Sequence, residues 1–350
     1  MRIGIIAPPF ITVPPSKYGG IELFIDTLVR HLKSFNVEIV LYTNGDSRID
    51  VEKRYLFAHA EWPLDDQLDK ELKELHHVGW AVKDASRDCD VIHMNSPAAV
   101  TVSLFTEQPI VCTIHHPHAK PLRDHYLRNS SIAYVTLSEF QRRLEAPLKP
   151  TTIYHGLDFN SYRLVSAKQE YVCWLGRISP LKGTHLAIDF ARATGVPLKI
   201  GGDVQPVFER YWRTQIKPRI DGKFIQYLGE LNLEQKNELL GNASAFLFPI
   251  DWEEPFGLVM LEAMACGTPV LAFRRGAVEE LVENGISGFS CDSIAEMPAL
   301  WEQAKRLEPA QIRAFAEKRF SAVRMATQYA QLYERVLVRY ENSSVASRSK

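Results

Sequence analysis

The strongest constraint on this chain is a rhythm in which short, wholly apolar runs alternate with segments whose apolar residues recur every three or four positions. Ile3 to Ala7 is such a run, Ile21, Phe24, Ile25, Leu28 and Leu32 form the stripe of one amphipathic helix, and Val37 to Tyr42 is apolar again. A strand buried on both faces needs the first pattern and a helix lying on its sheet needs the second, so the three segments read as a βαβ unit. Val91-Ile92-His93, Pro109 to Ile114 and Ala133 to Leu137 continue the series, with helical segments such as Leu68 to Lys83 between them. The rhythm lapses between Asp158 and Gln169 and then restarts. Strands follow at Tyr171 to Leu175, Pro197 to Ile200, Phe224 to Leu228, Ala245 to Phe248 and Thr268 to Phe273, with helices at Leu186 to Ala193, Ile294 to Lys305 and Pro309 to Tyr340. The expected fold class is α/β, with two Rossmann-like, doubly wound parallel-sheet domains.

A length of 350 residues leaves room for two cores. The expected division is 1–163 for the first domain, 164–320 for the second, 321–342 for a C-terminal helix packing back on the first domain, and 343–350 for a Ser-rich tail that frays. A formal net charge of −1 argues against bulk nucleic-acid binding but leaves room for a local cluster that holds an anion. Cys89, Cys112, Cys173, Cys266 and Cys291 are scattered and form no C-x-x-C pair, which indicates neither a disulfide framework nor a zinc knuckle and fits a cytoplasmic setting. The start, Met1 to Pro9, has a short apolar run interrupted by proline, unlike a secretory signal, and the chain holds no apolar stretch of the roughly 18 residues a membrane span needs. Peripheral membrane contact stays open.

Ligands of doubly wound sheets bind beyond the carboxyl ends of the strands, so the expected site is the cleft between the two domains. Gly19-Gly20 follows the first strand and precedes the first helix, where bare backbone can approach an anion. It is no dinucleotide fingerprint, which would place G-x-G-x-x-G directly after the strand, where Pro8-Pro9 stands. In Trp174-Leu175-Gly176-Arg177-Ile178-Ser179-Pro180-Leu181-Lys182-Gly183 a strand end delivers Arg177 and a helix start delivers Lys182, two cations suited to clamp a phosphate. In Glu254-Pro255-Phe256-Gly257-Leu258, Pro255 is expected to set the first helical turn, so that Phe256, Gly257 and Leu258 present free amides with Glu254 just outside and Glu262 two turns further in. Carboxylates accept from sugar hydroxyls and amides donate to phosphate, so this segment suits a sugar nucleotide. Thr113-Ile114-His115-His116-Pro117-His118 ends a buried strand; no carboxylate or cysteine stands at ligand spacing beside the three imidazoles, and His115 is expected to face the cleft rather than a metal. His76-His77 lies in a polar helical stretch and is expected at the surface.

Taken together, the Gly19-Gly20 loop, the Thr113-Ile114-His115 strand end, the Gly176-Arg177 to Lys182-Gly183 clamp, the Glu254 and Glu262 pair with seven residues between, and Asn284-Gly285 with Ser287-Gly288-Phe289 resemble a known family. The sequence is similar, over nearly its whole length, to retaining glycosyltransferases of family 4, which have the GT-B fold of two Rossmann-like domains facing a central cleft. The resemblance implies that Glu254 holds donor-sugar hydroxyls, that the amides of Phe256, Gly257 and Leu258 meet sugar and phosphate oxygens, and that Glu262 holds the ribose. It further implies that Arg177 and Lys182 neutralise the diphosphate, that Gly19 and Gly20 close on it from the other domain, that the backbone of Leu228 and Gly229 meets the base, and that His115 sits beside the reacting sugar. Where the family often has Asp after that histidine, this chain has His116.

The expected activity is that of a retaining, metal-independent hexosyltransferase. It would move a sugar from a UDP- or GDP-sugar to an acceptor hydroxyl on a small molecule, a glycan or a lipid-linked compound, with no nucleic-acid partner and no cofactor beyond the nucleotide sugar. A sugar-nucleotide epimerase or hydrolase on the same fold, and a non-catalytic sugar-nucleotide-binding module, are the alternatives. The sugar, the base and the acceptor are read by loops around Pro8 to Tyr18, Ser96 and His115 to His125, which carry no pattern that names a ligand.

Overall fold

The computed structural model describes residues 1–64 and 66–348, with side chains through Glu341 and Asn342 at the C-terminal end. The chain forms two compact units. The first comprises Met1–Pro15, Gly19–Gly156 and the residues from Ala322 onward, and the second comprises Ser16–Tyr18 and Leu157–Ser321.

The first unit is built on strands β1 (Arg2–Ile6), β2 (Glu38–Thr43), β3 (Glu52–Tyr55), β4 (Val91–Met94), β5 (Ile110–Thr113), β6 (Ala133–Thr136) and β7 (Thr151–Thr152). They form one parallel sheet in the order β3-β2-β1-β4-β5-β6-β7, with Ile3 opposite Ile39 on one side and opposite Val91 on the other. The central strands are buried on both faces, which is why they read as continuous apolar runs. The edge strands β3 and β7 are partly exposed and lack that signature, so the apolar pattern passes over them.

The helix Gly20–Leu32 lies on this sheet through Phe24, Ile25, Leu28, Val29 and Leu32. Over it packs the helix Ala322–Arg348, whose Met325, Ala326, Tyr329 and Tyr333 join the same core; the Phe24 and Tyr329 rings lie 5.7 Å apart. This helix continues into the stretch 343–350 expected to fray, and Ser349 and Lys350 lie outside the described residues. The helical stretch read over 309–340 comprises two helices, Pro309–Phe320 and Ala322–Arg348. Ser321 between them is extended and bridges to Leu157, whose amide donates to the Phe320 carbonyl, so a backbone pairing breaks the helix where the side-chain periodicity does not. On the opposite face of the sheet the helix Gln67–Ala85 is capped by Asp66, which accepts from the amides of Leu68 and Asp69. His77 in this helix is fully buried, not at the surface as expected. Its Nε2 meets the Ala7 carbonyl at 3.1 Å, and burial lowers its pKa to about 4.

The second unit has strands β8 (Val172–Leu175), β9 (Leu198–Gly201), β10 (Ile225–Tyr227), β11 (Ala245–Phe248), β12 (Val270–Phe273) and β13 (Gly288–Cys291), all parallel, in the order β10-β9-β8-β11-β12-β13. Both sheets thus reverse their winding once, between β1 and β4 and between β8 and β11. Such a reversal opens a crevice at the strands' carboxyl ends, because the chain leaves the two neighbouring strands in opposite directions. Among the described residues no helix is long and apolar enough to cross a membrane.

Candidate functional site

In the second unit the reversal point receives Arg177 and Lys182 from the segment after β8, and Glu254 from the segment after β11. Arg177 stands two residues beyond β8 with its guanidinium 5.5 Å from the Phe208 ring centroid, and its buried Nε makes no hydrogen bond. Lys182 closes a single 3-10 turn, Pro180–Lys182. Gly183 then takes a left-handed conformation, and the helix Thr184–Thr194 begins. A Cβ on Gly183 would fall 1.8 Å from the Pro249 carbonyl oxygen, so the approach of the Lys182 turn to the end of β11 requires glycine there. The Lys182 Nζ lies 2.6 Å from Glu254 Oε2 and 4.4 Å from the centroid of the Trp252 ring, and the Trp252 Nε1 donates to the same Oε2 at 2.9 Å.

The helix after Glu254 starts later than its proline suggests. Pro255 does not begin it; the helix runs Leu258–Ala265, and Gly257 precedes it at φ 95° as the N-cap. Phe256 is a buried anchor whose ring meets Phe320 edge to face at 6.0 Å. Of the first-turn amides, that of Met260 donates to the Gly257 carbonyl at 3.0 Å, and those of Leu258 and Val259 stand at the helix start, where N–H groups lack an intrahelical partner. The late start also puts Glu262 only just over one turn into the helix, not two.

Glu262 is buried and fully engaged on one side. Its Oε1 accepts from the Tyr162 hydroxyl at 2.7 Å and from Lys236 Nζ at 3.0 Å, and burial together with this carboxylate holds the Tyr162 phenol well above the usual tyrosine range. Arg313 fixes the Tyr162 segment by donating to the carbonyls of Phe159, Tyr162 and Ala265. Leu228 and Gly229 follow β10; the Gly229 carbonyl accepts from the Gly202 amide, and Leu228 is half-exposed. Beside them Asp203 is pushed up from the ordinary carboxylate range by burial and by the Glu230 charge.

Gly19, Gly20 and His115 belong to the first unit. Gly19 caps the helix Gly20–Leu32, and Glu22 in its first turn is buried, which raises the carboxyl to about 7. His115, two residues beyond β5, bonds through Nε2 to Asn95 Oδ1 at 2.8 Å, while Asn95 Nδ2 donates to the Ile6 carbonyl. The amide orientation of Asn95 is thereby set, so Nε2 of His115 carries the proton. Burial and the neighbouring His155, on whose ring it stacks at 5.5 Å, hold His115 well below the ordinary histidine range. It is a neutral imidazole with Nδ1 as its acceptor nitrogen. His116 stacks on Tyr126 and bonds to its hydroxyl, and His118 bonds to the buried Glu145 at 3.0 Å; neither joins His115. Among the described residues no group of three or more His, Cys, Asp or Glu side chains is arranged to hold a metal ion.

The second-unit arrangement offers a cation, a guanidinium, helix amides and two carboxylates, a set matched to a molecule that is anionic at one end and hydroxylated at the other. Sequence reading alone does not single out Trp252, Tyr162, Lys236 or Asn95, because each acts on a candidate residue through a tertiary contact. Trp252 is the exception in principle: it lies only two positions before Glu254, and an indole so close to a candidate carboxylate is a readable signal.

Comparison with known proteins agrees with this geometry. The sequence profile for Glycosyl transferases group 1 matches residues 161–314, and that for Glycosyltransferase Family 4 matches residues 18–160. The chain is 26% identical to a phosphatidyl-myo-inositol mannosyltransferase of Mycobacterium leprae over 99% of this chain and 100% of that protein. Anabaena HepE, solved with UDP and glucose, superposes with a TM-score of 0.76 at 21% identity, covering 95% of this chain and 99% of that one. Sucrose-phosphate synthase from Thermosynechococcus elongatus superposes at 0.79 and 18% identity over 96% and 99%.

Proposed function

Because this chain belongs to the glycosyltransferases, of group 1 and family 4, we propose that it moves a hexosyl group from a nucleoside diphosphate sugar to an acceptor hydroxyl with retention of anomeric configuration and without a metal ion. The observation that carries the proposal is the Lys182–Glu254 pair at the reversal point of the second sheet. In the free protein the ammonium and the carboxylate neutralise each other; a sugar diphosphate supplies an anion for one and hydroxyls for the other. HepE, of the same fold, was solved with UDP and glucose, which puts UDP-sugars first among the donors to try and GDP-sugars next.

As the anomeric carbon–oxygen bond to the diphosphate breaks, negative charge grows on the departing phosphate. Lys182, Arg177 and the amides at Gly257 and Leu258 are fixed before that charge forms, so they stabilise it more in the transition state than in the ground state. The cations thus fill the role a divalent ion has elsewhere. Glu254 accepts from sugar hydroxyls, Glu262 from the ribose, and the backbone of Leu228 and Gly229 meets the base. The acceptor oxygen bonds to the anomeric carbon on the face the diphosphate leaves, and its proton passes to the departing phosphate oxygen. In the first unit the resemblance to the family gives His115, a neutral imidazole, and the Gly19-Gly20 turn their proposed parts in the reaction. The five cysteines are free and buried, in keeping with a cytoplasmic setting.

The test is a thermal-shift screen of UDP-, GDP- and ADP-sugars, followed by turnover with and without sugar acceptors and by proton NMR of the product's anomeric signal. Stabilisation by one nucleotide class, acceptor-dependent donor consumption in the presence of chelator, and a retained anomer are expected. Donor consumption without any acceptor would favour the hydrolase or epimerase reading, and an inverted product would overturn the mechanism.

A further inference from the structure

Two donors converge on a single oxygen of Glu254. Lys182 Nζ reaches Oε2 at 2.6 Å and Trp252 Nε1 reaches it at 2.9 Å, leaving Oε1 without a hydrogen bond among the described residues. The Glu254 side chain is only 11% exposed, so the two donors meet most of the need of this oxygen for partners. The ammonium also lies over the face of the Trp252 ring at 4.4 Å, so the indole holds both members of the pair, the carboxylate by its edge and the cation by its face.

The two donors differ in what a ligand can do to them. An ammonium has three N–H groups on a flexible stem and follows an incoming diphosphate; an indole has one N–H, cannot accept, and sits on a ring with two torsions. When Lys182 turns to phosphate, the Trp252 N–H is the donor that stays on Oε2 and holds the carboxylate, with Oε1 left to accept.

We propose that Trp252 is a positioning residue for the donor sugar: its indole N–H fixes the Glu254 carboxylate while Lys182 is engaged by phosphate, so that the hydroxyl-accepting oxygen is set before the sugar arrives. This rests on the donor reading above. It assigns to the indole a selective effect on the sugar end of the donor, since the nucleoside diphosphate alone makes no use of Glu254. A purely structural tryptophan would loosen the whole site and weaken nucleotide and nucleotide sugar alike.

The experiment compares Kd values of UDP and UDP-glucose, and in parallel of GDP and GDP-mannose, by calorimetry for the wild-type protein and for Trp252→Phe, which keeps an aromatic face and loses the N–H. The expected result is a shift of roughly tenfold in the ratio of the sugar-bearing to the sugar-free Kd, whatever its starting value, with a similar or larger fall in kcat and a nucleoside diphosphate Kd within about threefold of wild type. Trp252→His, which retains a ring N–H in a smaller side chain, should return the ratio toward wild type if the hydrogen bond matters; a ratio that stays with the Phe variant would overturn the assignment. Wild-type binding and turnover with an unchanged ratio in Trp252→Phe overturns the role of Trp252 alone. A wild-type protein that binds none of the four nucleotides overturns the donor reading and this inference with it.

Discussion

Lys182 and Glu254, 72 positions apart in the sequence, share a 2.6 Å charge-assisted hydrogen bond at the carboxyl ends of β8 and β11, with less than a fifth of either side chain exposed. The pair holds a cation and an acceptor in mutually neutralised form, the arrangement on which the proposed donor site rests.

Removing the cation should therefore be felt in the chemical step. Lys182→Ala is expected to lower turnover by about 30- to 1000-fold, corresponding to roughly 2–4 kcal/mol of transition-state stabilisation. Arg177→Ala should fall in the same range. Initial rates at saturating donor check both, and a variant turning over at the wild-type rate would remove that side chain from the reaction.

Glu262 should behave differently, since its engagement by Tyr162 and Lys236 marks it as a fixed acceptor rather than a reacting group. Glu262→Ala should raise the donor Kd by roughly 10- to 100-fold with a smaller change in kcat, and Tyr162→Phe should act in the same direction by a few-fold. A normal donor Kd in Glu262→Ala would exclude the ribose role.

Stability of the first unit should depend on pH through its buried histidines. Burial lowers His93 and His155 to about 3 and His77 to about 4, against the ordinary histidine value of 6.5. As pH falls below 6.5 the unfolded chain takes up protons that the folded chain does not, so stability is full above 6.5 and is lost progressively toward pH 4 for His77 and pH 3 for His93 and His155. At pH 5 the loss is at most about 2 kcal/mol per histidine. Urea midpoints measured between pH 5 and 7 should rise with pH, and His77→Gln should flatten the slope; equal midpoints would contradict the buried neutral imidazoles.

Gly257 should tolerate no side chain. Its φ of 95° is strained for any other residue, whereas the atom nearest a Cβ, Met260 Cε at 2.6 Å, ends a flexible side chain that can give way, so the backbone carries the cost. Gly257→Ala should cost about 1–3 kcal/mol and displace the start of the helix Leu258–Ala265. A lowered melting temperature together with weakened donor binding is the expected pair of readings, and an unchanged melting temperature would refute the strain.

The parts of the fold legible in the sequence are those in which burial acts residue by residue. β1, β4, β5, β8 and β11 are enclosed on both faces and announce themselves as apolar runs, and the helix Gly20–Leu32 does so through its stripe. β3, with Glu52, Lys53 and Arg54, is an edge strand held by backbone pairing and ion pairs, neither of which has a period. Backbone pairing likewise breaks the helix at Ser321, and a left-handed glycine rather than Pro255 sets the start of the helix carrying Glu262. In the candidate site, residue types and spacing brought Arg177, Lys182, Glu254 and Glu262 to attention. The contacts from Tyr162 and Lys236, and that of Asn95 on His115, join residues by space and leave no local trace, whereas Trp252 acts from two positions before Glu254.

The helix Ala322–Arg348 gives the order of synthesis a particular meaning. Met325, Ala326, Tyr329 and Tyr333 fill a core whose other walls come from β1 and the helix Gly20–Leu32, and the Tyr333 hydroxyl bonds to His93 while that of Tyr329 bonds to Thr113. During translation the sheet of the first unit emerges well before this helix, so its apolar face is not covered until the helix Ala322–Arg348 has left the ribosome. The first unit is thus completed only after the second, made of one nearly continuous stretch, has been synthesised between its two parts.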